Sequence, residues 1–223
     1  MIWALAVTLL VWAGAVWLSR FGAGWLNPVL ISTIVLVAIL LVGRTPLEAY
    51  QAGTAPLTVL LGPAIVALAF PIQRHAKQLG RLLPALVIAC VAGAIVGGVV
   101  TVLLAWALGV PHDLLLSLAP KHATSAVSAA VAEVLGADAS LAAVFSVLTG
   151  IVGAVAGPPL LNLVRIKDPV SRGLAIGVSA HAIGTARAME DGPTTGAASA
   201  LGMALASLVV PTLCLVAALL GWL

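Results

Sequence analysis

Charge is what this sequence has least of. Asp, Glu, Lys and Arg make up 8% of its 223 residues, where a soluble domain carries about a quarter. The formal charge of +3 is small and dispersed, which excludes a nucleic-acid-binding face. Cysteine is nearly absent: Cys90 and Cys214 both lie inside apolar runs, with no CxxC or Cys/His cluster. They read as small buried hydrophobes, and neither a metal nor a cofactor is expected. No nucleophile elbow, Walker loop or metalloprotease motif occurs, so an enzyme is not expected either. Polar connecting stretches are short and leave no room for a soluble module.

What is present is apolar sequence. Hydrophobic residues make up 62% of the chain and the mean hydropathy is +1.22. Eight apolar runs fall at about 2–18, 28–43, 54–72, 82–108, 112–135, 139–163, 170–190 and 195–222. Several reach the roughly 20 residues that cross about 30 Å of hydrocarbon. The runs are continuous rather than alternating, which excludes a β-barrel. The expected fold is an all-α polytopic membrane protein with seven to eight transmembrane segments. The first run lacks a basic leader and a small-residue cleavage site, and reads as a membrane helix rather than a signal peptide. Trp3, Trp17, Trp25 and Trp222 sit near run ends, where indoles favour the interface; Trp12 and Trp106 fit that rule less well.

Basic residues set the orientation. Arg20 lies in one loop, Arg74, Lys77 and Arg81 in a second, and Arg165, Lys167 and Arg172 in a third. Cytoplasmic loops retain such residues, so all three belong on one side. An even number of crossings must then separate loop 73–81 from loop 164–172, yet three runs lie between them. The polar run 112–135, interrupted by Pro120, is the one expected to enter and leave on the outer side as a broken or re-entrant element. Arg44 then falls in an outer loop, and Lys121 and Arg187 remain at membrane depth. With that parity, runs 28–43, 54–72 and 82–108 oppose 139–163, 170–190 and 195–222. Inverted repeats of this kind build secondary transporters. A short similarity at an offset of about 57, LGP…VAGAIVGG (61–98) against LAP…LTGIVGAV (118–155), points the same way. The expected organisation is one membrane domain: an extra helix over 1–27, a first repeat over 28–108, a re-entrant polar element over 109–138 and a second repeat over 139–223. Gly93/Gly97 and Gly173/Gly177 have the four-residue spacing that lets helices approach closely.

Polar side chains inside apolar runs are the candidates for function. In SLAPKHATSAVSAAVAE (117–133), helical geometry puts Lys121, Thr124, Ser125 and Ser128 on one stripe. A cation with three hydroxyls suits a small carboxylate. The alternative is that Lys121 snorkels to the interface while the hydroxyls bond backbone carbonyls. His122 and Glu133 share a neighbouring face. In VSAHAIGTARAMED (178–191), His181 and Thr185 share a face, whereas Ser179, Arg187 and Glu190 fall on the opposite one. A break at Gly184 is expected to reorient the second half. His181 is the strongest proton-coupling candidate, with Glu133 and Glu190 beside it. For Arg187 and Glu190 an i,i+3 ion pair is the competing reading.

SLAPKHATSAVSAAVAE, LTGIVGAVAGPPLL and RGLAIGVSAHAIGTARAMEDG, with NPVLISTIVLVAILL and LLGPAIVALAFPI upstream, resemble the LrgB/CidB family of bacterial membrane proteins over roughly residues 27–210. The family's PKSVTTPIA is PKHATSAVS here, so His122 stands for Ser and Ala126 for Pro. The resemblance implies one of two activities. One is antiholin- or holin-like modulation of murein hydrolases and autolysis beside an LrgA/CidA-type membrane partner. The other is transport of glycolate, glycerate or pyruvate, as in the plastid relative and some bacterial members. The expectation is a carrier in the bacterial inner membrane, working by alternating access and associating as a homodimer. Lys121, His122, Thr124, Ser125, Ser128, His181, Thr185 and Arg187 are expected to form its substrate site.

Overall fold

The computed structural model describes residues 2–21 and 27–223; Trp25 lies outside them. Among the described residues there are helices and no strand. The helices are α1 (Ile2–Ser19), α2 (Pro28–Val42), α3 (Leu47–Ala67), α4 (Ala69–Arg74), α5 (Ala76–Ala107), α6 (His112–Leu118), α7 (Ser125–Val134), α8 (Ala139–Leu163), α9 (Pro169–Glu190) and α10 (Pro193–Leu219). Five stretches among the described residues are long and apolar enough to cross a membrane: α1, α3 with α4, α5, α8 and α10. The protein is therefore an all-α polytopic membrane protein. The expected seven to eight crossings exceed this number for three physical reasons. The 15 residues of α2 rise only about 22 Å. Run 112–135 is broken into α6 and α7. Run 170–190 folds back on itself.

The chain divides into two compact units, Met1–Ala69 and Phe70–Leu223, and the division falls inside the stretch 28–108. In the first unit α1 packs on α2 and α3. Asn27 caps α2, its Oδ1 accepting from the Val29 and Leu30 amides at 2.9 and 3.3 Å, and Pro28 supplies a preset first-turn φ. Thr8 and Tyr50 share a hydroxyl hydrogen bond of 2.7 Å between α1 and α3.

In the second unit, small residues fix the course of each helix. Leu79 and Leu86 of α5 cluster with Val170 and Leu174 of α9, and a Cβ on Gly93 would lie 3.8 Å from Val178. Thus α5 runs parallel to the first arm of α9. Along α8, Gly150 faces Ile183, Gly153 faces Ala180 and Gly157 faces Ile176, so α8 runs the opposite way. Gly173 meets Thr195 and Gly177 meets Ser199, which sets α10 parallel to α5. Both basic loops, 73–81 and 164–172, consequently lie at one end of this unit, called the near end here.

The path of α9 departs from the expected span. A straight helix would hold Arg172 and Asp191 about 28 Å apart. Instead Arg172 Nη2 stands 3.6 Å from the Asp191 carboxylate, and a Cβ on Gly184 would meet Ile176 Cγ2 at 2.9 Å. The two arms, 169–180 and 182–190, form a hairpin that enters and leaves at the near end. The turn is His181, with φ 44° and ψ −131°, not Gly184. That backbone state is uncommon for a side-chain-bearing residue and persists only where its surroundings hold it. Gly184 serves instead to let the second arm lie against the first.

The element 112–135 is the counterpart from the other end. Gly109, at φ 67°, turns the chain back after α5, and α6 returns until His122 stands beside Gly97. Then α7 runs outward against α8, to which a turn at Gly136 (φ 74°) joins it. The interruption at 119–124 exposes carbonyls that need partners at membrane depth. Ser128 Oγ donates to Pro120 O at 2.7 Å, and Ser146 Oγ donates to Ala123 O at 2.5 Å. The second unit is thus a long helix and a re-entrant hairpin, then an antiparallel long helix and a hairpin from the opposite end, closed by α10.

The α9 hairpin has a direct test in a variant lacking Cys90 and Cys214. Cysteines at Arg172 and Asp191 should be joined by a short bismaleimide in high yield. No cross-link, with both thiols reactive toward a monofunctional maleimide, would restore the straight helix.

Candidate functional site

The two hairpin tips meet. His181 Nε2–H donates to the carbonyl oxygen of Lys121 at 3.1 Å. His181 is only 4% exposed, so this bond holds both its turn and the loop of the other hairpin. Lys121 Nζ donates to His122 Nε2 at 3.1 Å. Gly97 leaves room for that ring, since a Cβ there would stand 3.0 Å from Nε2.

A cavity lies on each side of the tip. One, of about 360 Å³, is lined by Lys121 and His122, by Thr149, Phe145 and Val152 of α8, and by Ser179 of α9. The other, of about 350 Å³, lies between α5 and α10 and is apolar apart from His122, with Cys214 and Val210 on its wall. The first is the candidate anion site, because the Lys121 ammonium and the hydroxyls of Thr149 and Ser179 line it. Each hydroxyl gives its hydrogen to its own helix: Thr149 to Phe145 O and Ser179 to Ala175 O, both at 2.7 Å. Two helix N-termini, those of α7 and of the second arm of α9, also begin at the tips, adding positive potential where a small anion would sit.

The other expected site residues divide sharply. Thr124 is the N-cap of α7, its Oγ1 accepting from the Val127 amide at 3.4 Å. Ser125 begins that helix, partly buried. Ser128 is fully buried on backbone carbonyls, as the alternative reading of that stripe has it. Thr185 is 0% exposed and shares a 2.9 Å hydroxyl hydrogen bond with Ser199 of α10, lining neither cavity. Arg187 pairs with Asp191 at 2.8 Å and with Glu190 at 3.4 Å. Together with the Arg172–Asp191 contact and the Arg172–Asn162 hydrogen bond of 2.8 Å, these pairs close the base of the α9 hairpin. Glu133 and Glu190 are exposed and stand outside both cavities. Next to this base, the Ser171 amide and hydroxyl hold the Asp168 carboxyl below its usual range. That contribution is present above the ordinary carboxylate pKa and disappears as pH falls through the lowered one.

Thr149, Phe145 and Ser179, which line the first cavity, are absent from the expected site. Their signal was thin: two hydroxyls and one ring in Ala/Val/Leu-rich runs.

These features define a multi-pass helical membrane protein in which re-entrant hairpins from opposite ends place a lysine at their junction. The chain belongs to the LrgB-like family, whose model matches residues 8–220. It is similar to the uncharacterized protein YwbG of Bacillus subtilis (strain 168), 34% identical over 212 residues, 95% of this chain and 93% of the relative. YxaC of the same organism, also an uncharacterized protein, is 34% identical over 86% of this chain and 83% of its own. The holin-like protein CidB of Staphylococcus epidermidis is 30% identical over 88% of each chain. No solved structure matches significantly.

Proposed function

We infer that this protein is a carrier of small monocarboxylates of the glycolate, glycerate or pyruvate type, working by alternating access in the bacterial inner membrane. The observation that carries the reading is the tip-to-tip junction with Lys121 in a cavity. A lysine at membrane depth costs about 2.5–3.5 kcal/mol on insertion scales, and such residues mark substrate paths. Lys121 supplies the charge, helix N-termini add to it, and Thr149 and Ser179 flank it. Two opposed hairpins that share one site offer alternate closures, one toward each face. The chain is no enzyme in this scheme, and a homodimer is its working form.

The competing reading is a holin-like modulator of murein hydrolase activity and autolysis, acting with an LrgA/CidA-type membrane partner. The similarity to holin-like proteins CidB of Staphylococcus supports it. Labelled glycolate and pyruvate uptake into proteoliposomes, with and without a pH gradient, separates the two. Saturable uptake with retention of a large entrapped dye is the expected result. Dye release without saturable uptake would overturn the carrier in favour of the pore.

A further inference from the structure

We propose that Lys121 and His122 form a one-proton pair, and that each anion bound brings a second proton onto His122 Nε2. The inference rests on the carrier reading and names how that same site is coupled.

The geometry sets the empty state. Lys121 Nζ and His122 Nε2 are 3.1 Å apart. An ammonium has donors only, so Nε2 must accept. The ring's single hydrogen is then on Nδ1, and the imidazole is neutral. Were both groups protonated, two donors of like charge would face each other, and the one acceptor beside the His122 ring, the Gly97 backbone, carries no charge to offset them. The titratable surroundings offer no relief. Lys121 stands on the same loop; from α9 comes His181, whose Nε2–H is committed to Lys121 O; from α10 comes Cys214, across the second cavity. Helix α5 presents Gly97 and α8 presents Thr149. No carboxylate lines either cavity. The pair therefore carries one positive charge until an anion arrives.

The loaded state follows from charge balance. An entering carboxylate accepts from the Lys121 ammonium, and the Nζ–H···Nε2 hydrogen bond breaks. The freed Nε2 takes a proton that enters from the solution, where a buffer acid gives it up and is left as its conjugate base. Water in the cavity only relays it, and the new N–H bond points toward the second carboxylate oxygen. The site holds +1 before binding and two positive charges against one negative charge afterwards. Net charge is unchanged, so one proton accompanies each monocarboxylate and loading is electroneutral. His122 is placed for this because it lines both cavities. His181 lines neither, so proton coupling moves away from His181, Glu133 and Glu190.

The test is titration calorimetry of the purified protein with glycolate at neutral pH, in phosphate and in Tris, whose ionisation enthalpies differ. Wild type should take up about one proton per anion, and its apparent affinity should rise about tenfold per unit fall in pH. His122→Gln, whose amide oxygen still accepts from Lys121, should bind glycolate with no proton uptake and a flat pH profile. His181→Gln, which can still donate to Lys121 O, should keep the uptake. Glycolate binding without proton uptake in wild type overturns the proposal and leaves the carrier reading standing. Loss of uptake in His181→Gln rather than in His122→Gln also overturns it. Absence of binding by both glycolate and pyruvate in wild type removes the carrier reading and this proposal together.

Discussion

Lys121→Met should lose carboxylate affinity by roughly ten- to a hundredfold while the protein still folds and inserts. A hydrogen bond to a charged group contributes about 1.5–3 kcal/mol, and 1.4 kcal/mol is a factor of ten in affinity. Folding should survive because the loop is held by other bonds: His181 grips the Lys121 carbonyl, while Ser128 and Ser146 satisfy Pro120 O and Ala123 O. None of these uses the ammonium, and Met fills a similar volume. Lys121→Arg should also bind poorly, since a planar fork does not reproduce a compact ammonium beside His122. Glycolate binding followed by calorimetry, with size-exclusion and thermal melting as folding controls, reads the result. Undiminished affinity in Lys121→Met would make this lysine a snorkelling residue and remove the anion site.

The class of protein and the course of 112–135 were both legible in the chain. Continuous apolar runs exclude a soluble domain, and the basic loops around Arg74 and Arg165 demand an even number of crossings between them. Pro120, amid hydroxyl residues, marks which run gives way. The α9 hairpin was not legible by the same means. Its 22 residues match the length of a span, and its turn is a histidine at positive φ (φ 44°, ψ −131°) rather than a glycine or proline. Breaks are sought at Gly184 because glycine permits them, but here that glycine answers a packing demand from Ile176. The offset of about 57 residues held a better signal. It carries 112–134 onto 169–191, so an interrupted first hairpin calls for an interrupted second one.

The site was legible in part for a related reason. Face arithmetic on a straight helix puts His181 and Thr185 together, and in the folded hairpin they part, His181 to the tip and Thr185 to the α10 interface. Lys121 and His122 are legible because ionisable groups in apolar sequence are rare. Thr149 and Ser179 gain meaning only when α8 and α9 are brought together, which periodicity cannot show.

Gly177→Val should destabilise the protein severely, because the first arm of α9 lies directly on the α10 backbone there. A Cβ at Gly177 would meet Ser199 O, with Ser199 C and Cα at 2.7 and 2.8 Å. Backbone atoms cannot swing aside as a flexible side chain would, so the arm and α10 must separate. Overpacking of this kind costs about 1–3 kcal/mol. Parting the helices also breaks the buried Thr185–Ser199 hydrogen bond, and leaving such groups unpaired costs about 1–3 kcal/mol more. For a chain of this size, about 2–6 kcal/mol lowers the melting temperature by roughly 5–20 °C. Gly80→Ala is the control: nothing lies within 4 Å of a Cβ there, and alanine favours the helix by about 1 kcal/mol over glycine. Melting of the detergent-solubilised proteins should therefore show a large fall for Gly177→Val and none for Gly80→Ala. Wild-type melting in Gly177→Val would mean that α9 and α10 do not touch at this point. The hairpin would then have nothing to lean on, and His181 nothing to hold its turn against Lys121.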